Sequence, residues 1–246
     1  MKFAVICRRE LYAYFASFVA YVLVAVFLVL SGYFFYSDLI FFILFGGFTL
    51  PTGLWQFFFL DTRQVTLLVL PLVTMRLFAE EKKLGTMELL WTYPVRDGDI
   101  VAGKFLAATL FYLVMLLPTV VGPAVFFAFH RFEIAPMLTG YLGMLLLGMA
   151  FIACGLFVSS LTENQVVSAM VTYGILVLFW FLTWNEEVAN EQLVRLLLGV
   201  SLFDHFFNFP RGVIDTQDLV YFAVFIGFFL FLTLQSLGVR KWRGIR

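Results

Sequence analysis

Charge is scarce in this sequence. Only 13% of its 246 residues are charged, where an ordinary soluble domain carries about 25%, so a soluble globular fold is excluded. Lys+Arg and Asp+Glu balance at 16 each, which leaves no net field for a polyanion, and no nucleic-acid partner is expected. Cysteine and histidine are almost absent. Cys7 lies in a basic N-terminal stretch and Cys154 inside an apolar run, so a disulfide between them is not expected. A lone His130, and His205 with the loosely spaced Asp204 and Asp215, do not make a metal signature. No G-x-x-x-x-G-K-[ST] phosphate cradle occurs, nor an alternating strand–helix pattern to hold one. No enzymatic activity, resident cofactor or metal is expected in this chain.

What is present is hydrocarbon. The residues are 63% hydrophobic and 20% aromatic, and mean hydropathy is +0.98. That composition predicts an all-α integral membrane protein, with residues 1–246 forming one membrane domain of about six spans of about 20 residues each. The run from Leu11 to Ser37 is uncharged and far longer than the roughly 7 to 15 residues of a signal-peptide core, so a retained anchor is expected. Before it, Phe3 to Phe15 mixes Arg8, Arg9 and Glu10 with aromatic residues, which suits a helix lying in the membrane interface.

The uncharged runs place spans at Ala16 to Tyr36, Val65 to Phe78, Ile100 to Phe129, Pro136 to Leu161, Val166 to Trp184 and Leu219 to Val239. The second is short, about 21 Å, and is expected to begin before Asp61 and Arg63 or to be packed inside the protein. Leu39 to Leu60 is also long and uncharged, but Gly46, Gly47, Pro51 and Gly53 interrupt it, and a re-entrant or interfacial segment is predicted there. With both termini inside, twelve of the 16 cations fall on the cytoplasmic side, leaving Arg63, Arg131, Arg195 and Arg211 outside. This positive-inside bias favours six spans. In the fourth span Gly140, Gly148 and Gly155 recur close to one helical face and predict close helix packing, within the bundle or across a dimer.

Between the second and third spans runs a dense charged segment from Arg76 to Val95. Arg76 marks the end of the span and pairs with Glu80 at i, i+4; Glu81, Lys82 and Lys83 continue the helix into water. Gly85 interrupts it, Thr86 is expected to cap a short helix Met87 to Tyr93, and Pro94 to end that helix. Asp97 or Asp99 then caps the third span. Met87, Leu89, Leu90 and Trp91 beside water imply cover, either by a partner or by lipid.

Met75 to Lys82, Gly85-Thr86, Glu88-Leu89-Leu90, Pro94-Val95 and Gly103 to Leu106 together resemble the permeases of ABC-2 type transporters, in the six-span class of the gliding-motility and nitrous oxide reductase maturation permeases. Arg8-Arg9-Glu10-Leu11, Ser159-Ser160-Leu161-Thr162 and Arg211 to Asp215 extend the resemblance over nearly the whole chain. It implies an inner-membrane, multi-pass subunit that pairs with a second permease copy or homologue and with separate ATP-binding subunits, which carry the ATP and Mg. It further implies that Arg76, Glu80, Glu81, Gly85, Thr86, Glu88, Leu89, Leu90 and Pro94 form the ATPase-coupling loop and that Arg8, Arg9 and Glu10 lie on an N-terminal interfacial helix.

Two functions follow. The favoured one is the membrane subunit of an ATP-driven exporter or extruder. The alternative is a scaffold or mechanotransducer that passes ATPase movement to an extracytoplasmic auxiliary protein, with nothing crossing the bilayer.

Overall fold

A computed structural model describes residues 2–44, 53–86, 96–129, 134–181, 199 and 201–243. Every regular element among them is helical: α1 (Lys2–Ala16), α2 (Phe18–Leu44), α3 (Leu54–Thr74), α4 (Arg76–Lys83), α5 (Asp97–Leu116), a 3-10 turn (Leu117–Val120), α6 (Val121–Phe129), α7 (Ile134–Leu161), α8 (Gln165–Phe181), α9 (Leu202–Phe206), a second 3-10 turn (Phe209–Arg211) and α10 (Thr216–Arg243). Five stretches are long and apolar enough to cross a bilayer: Phe18–Leu44, Leu54–Lys83, Asp97–Phe126, Ile134–Leu161 and Thr216–Val239. The apolar α8 is shorter, 17 residues, or about 25 Å.

The first two spans differ from their sequence-based boundaries. The first continues through Ser37 and Asp38 to Leu44. The second is not the short Val65 to Phe78 but, beginning before Asp61 and Arg63 as expected from its shortness, 30 residues, Leu54–Lys83, or about 45 Å. Leu39 to Leu60 is therefore not a re-entrant segment of its own. Its first part completes α2 and its last part opens α3, while residues 45–52 lie outside the described residues. An uncharged-run criterion stops a span at the first charge, whereas a helix continues wherever the charge finds an acceptable environment. Arg63 is such a case, its guanidinium lying over the rings of Phe203 and Phe206 at 4.9 and 5.8 Å. At the start of α5 the N-cap residue is Arg96, with no side-chain cap, and Asp97 and Asp99 sit inside the first turn. There they complement the positive end of the helix dipole without capping it.

α7 is the axis of the bundle. Seventy-two percent of its apolar window is buried, against 17% for α2, which sits at the rim with Tyr21, Val29, Tyr33 and Tyr36 exposed. Glycine makes the central position of α7 possible. A Cβ at Gly140 would stand 2.0 Å from the Phe59 ring, one at Gly148 2.0 Å from the Tyr112 ring, and one at Gly155 2.1 Å from Thr74 Oγ1. All three glycines thus serve packing inside this chain, against α3 and α5, and helix approach is close because nothing but hydrogen projects from them.

At the end of the bundle remote from α1, the segment 201–212 folds inward. Leu202, Phe203, Phe206, Phe209 and Pro210 are buried, Thr139 donates to the Phe209 carbonyl at 2.7 Å, and Gly212 turns the chain at φ 86°. Phe203, Phe206 and Phe209 thus fill the bundle, while Phe207 stays half-buried with the Arg211 guanidinium 4.5 Å over its ring. His205 pairs through Nδ1 with Asp218 at 2.6 Å rather than with Asp204 or Asp215.

Candidate functional site at the charged end of the bundle

The interest lies at the opposite end, where α1, α4 and the start of α5 meet. α3 and α4 form one rod interrupted at Met75. Pro71 lies one turn before the interruption and supplies no N–H to the helix. Around it, three carbonyls receive side-chain donors from three different helices. Tyr14 Oη of α1 donates to Val73 O at 3.1 Å, Ser159 Oγ of α7 to Met75 O at 3.1 Å, and Lys104 Nζ of α5 to Leu77 O at 2.6 Å. Ser159 Oγ also accepts the backbone N–H groups of Phe78 and Ala79 at 3.0 and 3.1 Å, which uses its one donor and both lone pairs. A hydroxyl inserted beside the ladder in this way is a recognised cause of helix interruption.

Lys104 is wholly buried, and a buried ammonium is tolerated only when paired and hydrogen-bonded. Its Nζ lies 3.0 Å from Glu10 Oε1 and 3.0 Å from Glu81 Oε2, and it stands 5.1 Å above the Phe78 ring. Arg9 closes the figure from the solvent side, with one Nη 2.6 Å from Glu10 Oε1 and 2.7 Å from Glu81 Oε1. Two cations and two carboxylates thus alternate in a ring joining three helices. Burial alone would raise Glu10, but the Lys104 ammonium and the Arg9 guanidinium outweigh it and hold its carboxyl below the usual glutamate range.

Beside the ring a cleft of about 570 Å³ opens between α1 and α4, with Tyr14, Ser17, Arg76, Glu80 and Thr86 among its walls. Arg76 does not pair with Glu80 as its spacing suggested. It reaches across the cleft, donating to Ser17 Oγ at 3.0 Å and lying 4.5 Å over the Tyr14 ring. The buried aromatic face attracts a guanidinium more strongly than an exposed i, i+4 carboxylate does. Lys82 turns to α7, donating to the Ser160 carbonyl.

Of the expected coupling residues, the structure gathers Arg76, Glu80, Glu81, Gly85 and Thr86 at this end together with Arg9 and Glu10, while Arg8 is exposed on α1. Gly85 adopts φ 69°, the left-handed conformation that favours glycine, and it ends the rod. Thr86 donates back to the Glu81 carbonyl at 3.2 Å, while the N–H groups it is expected to cap belong to residues outside the described ones. Glu88, Leu89, Leu90 and Pro94, with the short helix expected at Met87 to Tyr93, lie outside the described residues. Lys104, Tyr14 and Ser159 were not among the residues singled out for this site. Their signal was faint: one lysine a turn into an apolar span, a tyrosine among other aromatics, and one of a pair of serines.

Residues 65–190 match the family model of ABC-2 family transporter proteins, just over half of the 246-residue chain. The chain belongs to the ABC-2 transporter family. No curated protein matches it. Together with the spanning helices, family membership makes it a multi-pass membrane protein and an ABC permease subunit, and permeases of this family work with ABC ATP-binding subunits. The matched stretch includes α4, Gly85, Thr86 and all of α5, so it holds Glu81 and Lys104 of the ring. Arg9 and Glu10 come from the part of the ABC-2 chain that precedes it.

Proposed function

We propose that this permease subunit couples ATP hydrolysis by separate ATP-binding subunits, which carry the ATP and Mg, to export or extrusion across the cell's inner membrane. In this reading the chain crosses six times, α8 adding a crossing to the five longer spans, and the charged end and both termini are cytoplasmic. A second permease copy or homologue completes the pathway. The motif residues from Met75 to Leu106 favour the gliding-motility and nitrous oxide reductase maturation class within the family.

The observation that carries the proposal is the ionic ring. It fastens α1 and α4 to α5 at the end where the chain leaves the bundle for the Gly85 turn. A push on the segment after Gly85 is delivered to α4. Through Ser159, Lys104 and Tyr14 it then reaches α7, α5 and α1 together. A partner that contacts this end differently in its nucleotide-bound and free states biases the whole bundle.

The test is co-purification with the ATP-binding protein encoded beside it, followed by crosslinking from cysteines placed at Met87 and Thr92 in a background lacking Cys7 and Cys154. Crosslinks that change with nucleotide are expected. Gly85→Pro, which is incompatible with a positive φ, and Glu88→Ala should lower stimulation of the partner's ATPase while membrane insertion stays intact. Failure to form any complex with folded, inserted protein would overturn the coupling assignment.

A further inference from the structure

The cleft between α1 and α4 carries two charges that the ring does not use. Arg9, Glu10, Glu81 and Lys104 neutralise one another. Arg76 and Glu80 remain, one helical turn apart on α4, and neither has an ion-pair partner among the described residues. Arg76 is turned to Ser17 and Tyr14. The Glu80 carboxylate is exposed and, among the described residues, makes no side-chain hydrogen bond or ion pair. Besides the mutually paired charges of the ring, which also line it, the cleft therefore presents one cation and one anion, Arg76 reaching across to the α1 side and Glu80 standing on α4.

Its depth follows from the chain. Ser17 is the break between α1 and the first span, and Arg76 opens the continuation of the second; their hydrogen bond puts the two junctions at one height. That is the level at which apolar helix gives way to charge, hence the headgroup level of a bilayer. α1 suits the same level, with Val5, Tyr12 and Phe15 exposed.

We infer that this cleft binds the headgroup of a zwitterionic phospholipid bearing a primary amine, with the phosphate on Arg76 and the ammonium on Glu80. The ligand's charges match those left over in the cleft in number and sign. Guanidinium to phosphate is the stronger contact, and the Glu80 carboxylate discriminates, because an anionic headgroup without an amine leaves it unmatched and repelled. A volume of about 570 Å³ is that of a small-molecule site.

Native mass spectrometry of the purified full-length permease, delipidated in detergent and offered equal phosphatidylethanolamine and phosphatidylglycerol, tests this without any ATPase present. Its outcome is therefore independent of the coupling assignment. Phosphatidylethanolamine should be retained about tenfold better than phosphatidylglycerol. Glu80→Gln, on an exposed side chain, should abolish that preference, and Arg76→Met should lower retention of both lipids. Glu163→Gln, exposed at the same end but outside the cleft, should change nothing. Equal retention of the two lipids by the unaltered protein, or an undiminished preference in Glu80→Gln, would overturn the inference.

Discussion

Lys104 and Glu81 lie on successive spanning rods, 3.0 Å apart from Nζ to Oε2, with the ammonium entirely shielded from solvent. A charge buried so completely is stable only because two carboxylates and a backbone carbonyl surround it, and the same enclosure makes every member of the ring depend on the others.

Replacing Lys104 by Met should cost about 3 to 5 kcal/mol, because two carboxylates are left with Arg9 alone. Thermal unfolding in detergent would register the loss. Adding Glu10→Gln and Glu81→Gln to the same chain should recover part of it, since the uncompensated charges are then gone. If the single and triple variants melt alike, the damage is one of packing rather than charge.

Acid should loosen α1 before it unfolds the bundle. Glu10 is held below its ordinary value of 4.5 by Lys104 and Arg9 against the opposing effect of burial. Its contribution is therefore complete above that value and is lost as pH falls through the lowered folded value. Amide exchange in α1 followed at decreasing pH should accelerate below the ordinary glutamate value, and Glu10→Gln should show no such dependence.

Gly148→Ala and Gly155→Ala should each destabilise by about 1 to 3 kcal/mol, because the added methyl meets the buried Tyr112 ring or Thr74 Oγ1 near 2 Å. Gly174→Ala in α8 meets nothing within 4 Å and should be neutral or slightly stabilising through helix propensity. Melting temperatures of the three variants, compared side by side, decide the point.

Ser159→Ala should cost about 1 to 3 kcal/mol, since the Met75 carbonyl and the Phe78 and Ala79 N–H groups lose a buried partner together. Ser160→Ala removes only a bond to Phe157 in its own helix and should cost less. Equal effects would deny Ser159 a special role at the interruption.

Much of the fold was legible because lipid imposes a coarse code of long apolar helices with charge gathered at their ends. The composition and the spans of α7 and α10 could be read in that code to within a few residues, and so could the extent of α5 and α6 taken together, but not the 3-10 turn at Leu117–Val120 that divides them. The glycines of α7 were legible as packing sites, but not their neighbours Phe59, Tyr112 and Thr74, which come from other helices. The start of the second span before Asp61 and Arg63 was legible from the shortness of its uncharged run, but the code failed where an apolar run is divided between two helices, as at Leu39 to Leu60.

By itself, the sequence determined that this chain is a helical membrane protein with a charged turn after its second span, because burial in hydrocarbon and the Arg76 to Thr86 pattern are local properties; the permease reading rested on the resemblance carried by Met75 to Leu106. Only the tertiary structure decided which charges act together. Arg76 and Glu80 are neighbours in sequence yet do not pair, while Arg9, Glu10, Glu81 and Lys104 come from three helices and do. The reason is energetic. A carboxylate on the same helix turn offers an exposed cation little, whereas a buried ammonium must have its counter-charges wherever in the chain they lie.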